Sequence, residues 1–111
     1  MSSSIQNLTD RNFAEVVLES PGVVLVDFWA PWCAPCNALT PTINALADSL
    51  GERVTVAKVN VDDAPQLAGQ YGVSAIPTVI LFRDGAAIRQ WSGIEQRETY
   101  EAAILSVLRA A

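Results

Sequence analysis

Two cysteines three positions apart, in Trp32-Cys33-Ala34-Pro35-Cys36, stand where an apolar run gives way to helical periodicity. A strand feeding a helix through such a pair reads as the opening of a βαβ crossover, which confines the chain to α/β architectures. Residues three apart share one helix face, and their Cα separation of roughly 5 Å lies within the range a disulfide requires. Cys33 falls at the helix N-terminus, where unpaired N–H groups and the macrodipole favour a thiolate. Pro35 fits the first turn, whose N–H groups lack intrahelical acceptors in any case. Cys36, one turn further in, is expected to be more buried and less ionised. One sulfur is placed to attack and the other to resolve. A bare Cys-x-x-Cys also fits two packed core thiols, or half of a metal or iron–sulfur centre shared between two copies. The strand-to-helix setting and the lack of other soft ligands favour redox chemistry.

The rest of the chain alternates between helical and extended patterns. A strand is expected ahead of a first helix running from about Asp10 to Glu19. Thr9 would be its N-cap and Ser20-Pro21-Gly22 its stop. Val23 to Ala30 reads as a buried strand, apolar except for Asp27. The helix after Cys33 carries Leu39, Ile43, Leu46, Ala47 and Leu50 on one face, with Pro41 inside it as an expected kink. Val54 to Val61 reads as a second core strand, interrupted by Lys58. A short helix with Pro65 in its first turn follows. Thr78 to Phe82 and Ala87 to Trp91 flank Arg83-Asp84-Gly85-Ala86, where Asp-Gly signals a hairpin. Arg97 to Arg109 completes the order as a last helix. This βαβ pattern followed by a hairpin predicts a central mixed β-sheet with helices on both faces.

Composition narrows the function. With 7 basic and 12 acidic side chains, the net charge is −5, which argues against nucleic-acid binding. No apolar stretch approaches the ~18 residues of a membrane span. Met1-Ser2-Ser3-Ser4-Ile5 lacks the features of a signal peptide, so a cytoplasmic protein is expected. The 111 residues suit one domain spanning 1–111, with no linker dividing them. Histidine is absent. Imidazole-based catalysis is therefore excluded, and a closed zinc site would need two carboxylates. No metal ligand set is expected.

At this point the chain resembles the thioredoxin family along nearly its whole length. The segment Val26-Asp27-Phe28-Trp29-Ala30-Pro31-Trp32-Cys33-Ala34-Pro35-Cys36 is similar to that family's active-site signature. Pro41 matches its helix-kinking proline and Lys58 its buried lysine. Ile76-Pro77-Thr78 resembles its cis-proline segment, and Gly85 and Gly93 match its late glycines. The resemblance implies the thioredoxin fold and a monomeric protein-disulfide reductase that serves cell redox homeostasis. It further implies no bound cofactor, a redox-active Cys33–Cys36 disulfide, and recharging by a thioredoxin reductase with electrons from NADPH. Two positions depart from the family pattern. Ala34 stands where glycine is usual, and Asn37 where a basic residue or glutamine is common.

Asp27 is the second chemical candidate. A carboxylate within Val23-Val24-Leu25-Val26-Asp27-Phe28-Trp29 is expected to be desolvated, with a raised pKa unless a partner compensates. It could form a structural ion pair with Lys58. Alternatively, as the resemblance implies, it accepts the Cys36 proton through water. The resemblance also implies that Trp32, Ile76, Pro77, Gly93 and Ile94 form a shallow apolar docking surface. There Pro77 would expose a segment able to pair with an extended substrate. Considered singly, Trp32 and Ile94 read as ordinary packing residues. Trp91 reads as packing on an edge strand. Competing functions are a superfamily oxidase or isomerase and a redox-independent binding module. The first is disfavoured because Ala34-Pro35 lacks a thiolate-stabilising histidine.

Overall fold

The computed structural model describes residues 5–110. Its centre is β2 (Val23–Trp29), buried along its length except for half-buried Trp29. A strand buried on both faces needs neighbours on both edges, and two meet this need. β3 (Val54–Asn60) pairs with it in parallel and β4 (Thr78–Arg83) in antiparallel. β1 (Gln6–Leu8) adds in parallel to β3, and β5 (Ala86–Ser92) adds antiparallel to β4. The order β1-β3-β2-β4-β5 is a mixed five-stranded sheet, as the element pattern predicts.

Strand alternation divides the core between the two faces. Val23 and Leu25 pack with Leu39, Ile43, Leu46 and Leu50 of α1 (Ala34–Leu50) and with Tyr100 and Ile104 of α3 (Arg97–Arg109). Val24, Val26 and Phe28 face Phe13, Val17, Phe82 and Leu67, the last from α2 (Pro65–Gln70). Asp27 shares the first face with Val23 and Leu25. α1 runs unbroken through Pro41.

The expected helix from Asp10 to Glu19 is only partly present. Thr9 does cap it. Its hydroxyl accepts from Arg11 N, and its own N–H donates to the Asn12 side chain. The chain then widens into an i→i−5 turn over Ala14–Leu18, closed by Glu19 N donating to the Ala14 carbonyl at 2.8 Å. Val16 and Val17 are weak helix formers. Phe13 and Val17, both buried in the core, anchor the segment more strongly than propensity does.

The hairpin is also tighter than the four-residue connection expected from Arg83 to Ala86. Only Asp84 and Gly85 turn, with φ of 49° and 85°, while Arg83 and Ala86 pair within the strands. Arg83 is held in place by donating to the carbonyls of Val107 and Ala110. The Asp84 carboxylate accepts from Gly22 N at 2.7 Å. At Gly85 a Cβ would overlap the backbone carbonyl of Leu18 as well as oppose the left-handed φ. Gly85→Ala is therefore expected to lower stability by about 2 kcal/mol or more in urea denaturation. A loss below about 0.5 kcal/mol would mean that the Leu18 turn yields freely.

Candidate active site

Past Trp29 the chain leaves the sheet through buried Ala30 and turns at Pro31 and Trp32. Cys33 N donates to the Ala30 carbonyl at 3.1 Å, closing that turn. Cys33 itself has extended backbone (φ −90°, ψ 108°) and is the N-cap of α1. Its sulfur takes the place of a capping oxygen by accepting from Cys36 N at 3.2 Å. Ala34 and Pro35 form the first helical positions, so the proline removes no helical hydrogen bond. Cys33 and Cys36 are joined as a disulfide with Cα atoms 5.2 Å apart.

Its place at the helix terminus does not leave Cys33 open to solvent. In the oxidised pair Cys33 is 6% exposed and Cys36 1%. Both pack against Ala30, with Trp29, Val61 and Ile76 beside them. Cys33 Sγ also lies 3.7 Å from the Ile76 carbonyl oxygen. The order of access is kept, with Cys33 the outer sulfur, but the margin is narrow.

Ile76 leads into a segment tied to the end of the sheet. The Ile76–Pro77 peptide is cis, with Thr78 Oγ1 donating to the Ala75 carbonyl at 2.6 Å. Gly93 N donates to the Pro77 carbonyl at 2.8 Å, tying the end of β5 to this segment. Pro77 is buried, Ile76 and Gly93 are half-buried, and Trp32 and Ile94 are 69% and 51% exposed. The packing role that these two suggest singly is thus not what they have. An open cleft of about 190 Å³ lies between Trp32 and the walls formed by Val61, Val73 and Ile76. Trp91 does pack, edge-on against Tyr100.

Two supports were not identified from the sequence. Trp32 Nε1 donates to Asp62 Oδ2 at 2.7 Å, and Asp62 N donates to Asn60 Oδ1 at 2.9 Å. The signal was present, because an Asn two residues before another residue's N–H is the pattern of an Asx turn. Asn37, one of the two departures, donates from Nδ2 to the Pro31 carbonyl at 3.1 Å. It braces the loop entering the disulfide, and it brings no cation to the Cys33 sulfur.

Asp27 is 1% exposed, and neither carboxylate oxygen has a hydrogen-bond partner. Burial raises its pKa from 3.8 to about 6, opposed in part by the charge of Lys58. Lys58 is its register partner on β3, yet the two do not form an ion pair; the pair within ion-pair distance among the described residues is Arg83–Asp84. Lys58 is half-buried rather than buried. Its ammonium sits 4.1 Å from the centroid of the Trp29 ring. A cation over an indole face retains partial solvation and an attractive quadrupole, which a dry ion pair lacks. Asp27 is thus left as a buried acid without an ion-pair partner, its pKa raised to about 6.

Comparison with known proteins agrees with this geometry. The family model described as Thioredoxin matches residues 4–106. The chain is 42% identical over 102 residues to a protein named Thioredoxin from Alicyclobacillus acidocaldarius subsp. acidocaldarius, covering 92% of this chain and 96% of that one. It is 44% identical over 93 residues to a Thioredoxin of Rickettsia bellii, covering 84% and 89% of the two chains. Over 81 residues it is 47% identical to Thioredoxin 1 of Synechococcus elongatus, covering 73% and 76%.

Proposed function

The chain belongs to the thioredoxin family and is a protein-disulfide reductase, and from that premise we propose how its residues divide the work. The observation that carries the assignment is the Cys33–Cys36 disulfide at the N-terminus of α1, bordered by the Ile76–Pro77 segment. In the reduced protein the Cys33 thiolate is stabilised by Cys36 N–H and the helix terminus. It attacks one sulfur of a target disulfide, forming a mixed disulfide and expelling the other target sulfur as a thiolate. Asp27 takes the Cys36 proton, through water, and Lys58 limits how far its pKa rises. The Cys36 thiolate then attacks Cys33 Sγ. This expels the second target thiolate and leaves Cys33 and Cys36 oxidised. Two electrons pass to the target, and no bound cofactor is needed because the cysteine pair carries them.

Target polypeptide docks on Trp32, Ile76, Pro77, Gly93 and Ile94. The exposure of Trp32 and Ile94 supports this role, as does the cleft beside Ile76. Ala34 and Pro35 shape the turn between the two sulfurs. A thioredoxin reductase drawing on NADPH returns the pair to the dithiol. The protein acts as a monomer of one domain spanning 1–111. Its place is the cytoplasm, where thiols are kept reduced. Among the described residues no helix is long and apolar enough to cross a membrane. The acidic net charge supports protein targets rather than nucleic acid. With NADPH and a thioredoxin reductase, the protein is expected to reduce insulin disulfides catalytically, followed as NADPH consumption. No consumption above the reductase alone would refute the reading.

A further inference from the structure

Tyr100 is fully buried in the second turn of α3 and is among the largest such side chains. Its ring stands edge-on to Trp91, with centroids 5.2 Å apart. Its hydroxyl reaches back along the helix and accepts from Glu95 N at 3.2 Å. Gln96, the N-cap of α3, makes no side-chain capping bond. The entry to the helix is therefore held from within the core. On the other side of Ile94, Gly93 N donates to the Pro77 carbonyl. Ile94, exposed on the connection from β5 to α3, thus lies between two tethers, one on each of its neighbours Gly93 and Glu95. One is backbone to backbone. The other rests on a single phenolic oxygen.

We propose that Tyr100 is a positioning residue for target docking: its buried hydroxyl holds Glu95 and thereby keeps Ile94 at the rim of the Cys33 site. This rests on the reductase reading and on Ile94 as a docking residue, and it concerns binding of polypeptide rather than sulfur chemistry. A loop free to move from the rim must be ordered when a target binds, and that cost lowers affinity. A small disulfide that does not fill the groove is indifferent to it. The same phenol also lies within the electrostatic influence of Asp27, so an effect on proton transfer has to be separated from an effect on docking.

Tyr100→Phe removes the oxygen and keeps the ring. Pre-reduced wild type and variant are each reacted in single turnover with insulin and with 5,5′-dithiobis(2-nitrobenzoic acid). The half-saturating insulin concentration is expected to rise about three- to tenfold, the factor corresponding to one neutral hydrogen bond, with the limiting rate kept. The rate with the small disulfide is expected to stay within about twofold, and amide exchange at Glu95 to accelerate. Equal slowing of both substrates would overturn the proposal by placing Tyr100 with Asp27. Faster Glu95 exchange with unchanged insulin saturation would overturn it by making the bond purely structural. Failure of the wild type to reduce either disulfide would instead sink the reductase reading on which the proposal stands.

Discussion

Serine in place of Cys36 halts the cycle after its first displacement and lowers coupled insulin reduction by at least about two orders of magnitude. The expectation follows from where the second sulfur lies. Cys36 is 1% exposed, one turn inside α1, with its Cα 5.2 Å from that of Cys33. Its thiolate has one reachable target, the Cys33 sulfur, and a serine hydroxyl cannot form the sulfur–sulfur bond that expels the substrate. The variant should therefore remain covalently attached to disulfide-bearing proteins. Dithiothreitol should release them, since an external thiol replaces the missing resolver. The double variant Cys33→Ser/Cys36→Ser keeps the docking surface and loses the nucleophile, so it should retain no reductant-released partners. Non-reducing gels of extract passed over each immobilised variant read the difference. An identical partner set from both, with nothing further released by reductant, would mean binding without exchange.

The parts of this site that were legible in the sequence are those set by local pattern. The cysteine spacing, the apolar run from Val23 to Ala30 and the last helix are each written in neighbouring residues, and the strand ends one residue early, at Trp29. The structure reproduces the last helix at Arg97–Arg109. What escaped depends on contacts between distant segments. Asp62 beneath Trp32 joins residues 30 apart. The tight hairpin is held where Arg83 reaches Val107 of α3 and Asp84 reaches Gly22. Lys58 shows the limit most clearly. Its place opposite Asp27 in a neighbouring strand suggests an ion pair, and the register does align the two. The ammonium nonetheless goes to the Trp29 ring, a choice made by side-chain reach and hydration that no spacing encodes. Tyr100 is a further case, because nothing local distinguishes a buried ring from a buried ring whose hydroxyl holds a loop.

Replacing Asp27 by alanine is expected to make the protein more stable and less active at once. In the folded state the carboxyl titrates near 6 against 3.8 for the free group, chiefly because burial disfavours its charge. The direction of the linkage follows from proton counts. Between about pH 4 and pH 6 the native state holds a proton that the unfolded state has lost, so stability falls as pH rises through that window. Above it both states are ionised and the loss is complete, on the order of 3 kcal/mol for a shift of this size. Asp27→Ala removes that cost together with two unpartnered oxygens, and gives up some packing. A net gain of about 1–3 kcal/mol at pH 7 is expected, shrinking toward nothing by pH 4. Denaturant titrations at the two pH values measure it. Turnover moves the other way. Without an acceptor that titrates near neutrality, Cys36 must lose its proton to solvent. Insulin reduction at pH 7 should fall on the order of tenfold and recover toward alkaline pH, where a free thiol ionises unaided. A variant that is less stable and equally fast would return Asp27 to a structural role beside Lys58. The combination of a stabilised fold with a slowed, alkaline-shifted reaction is what a buried proton acceptor produces, because the desolvation that weakens the fold is the same desolvation that brings its pKa toward that of a thiol.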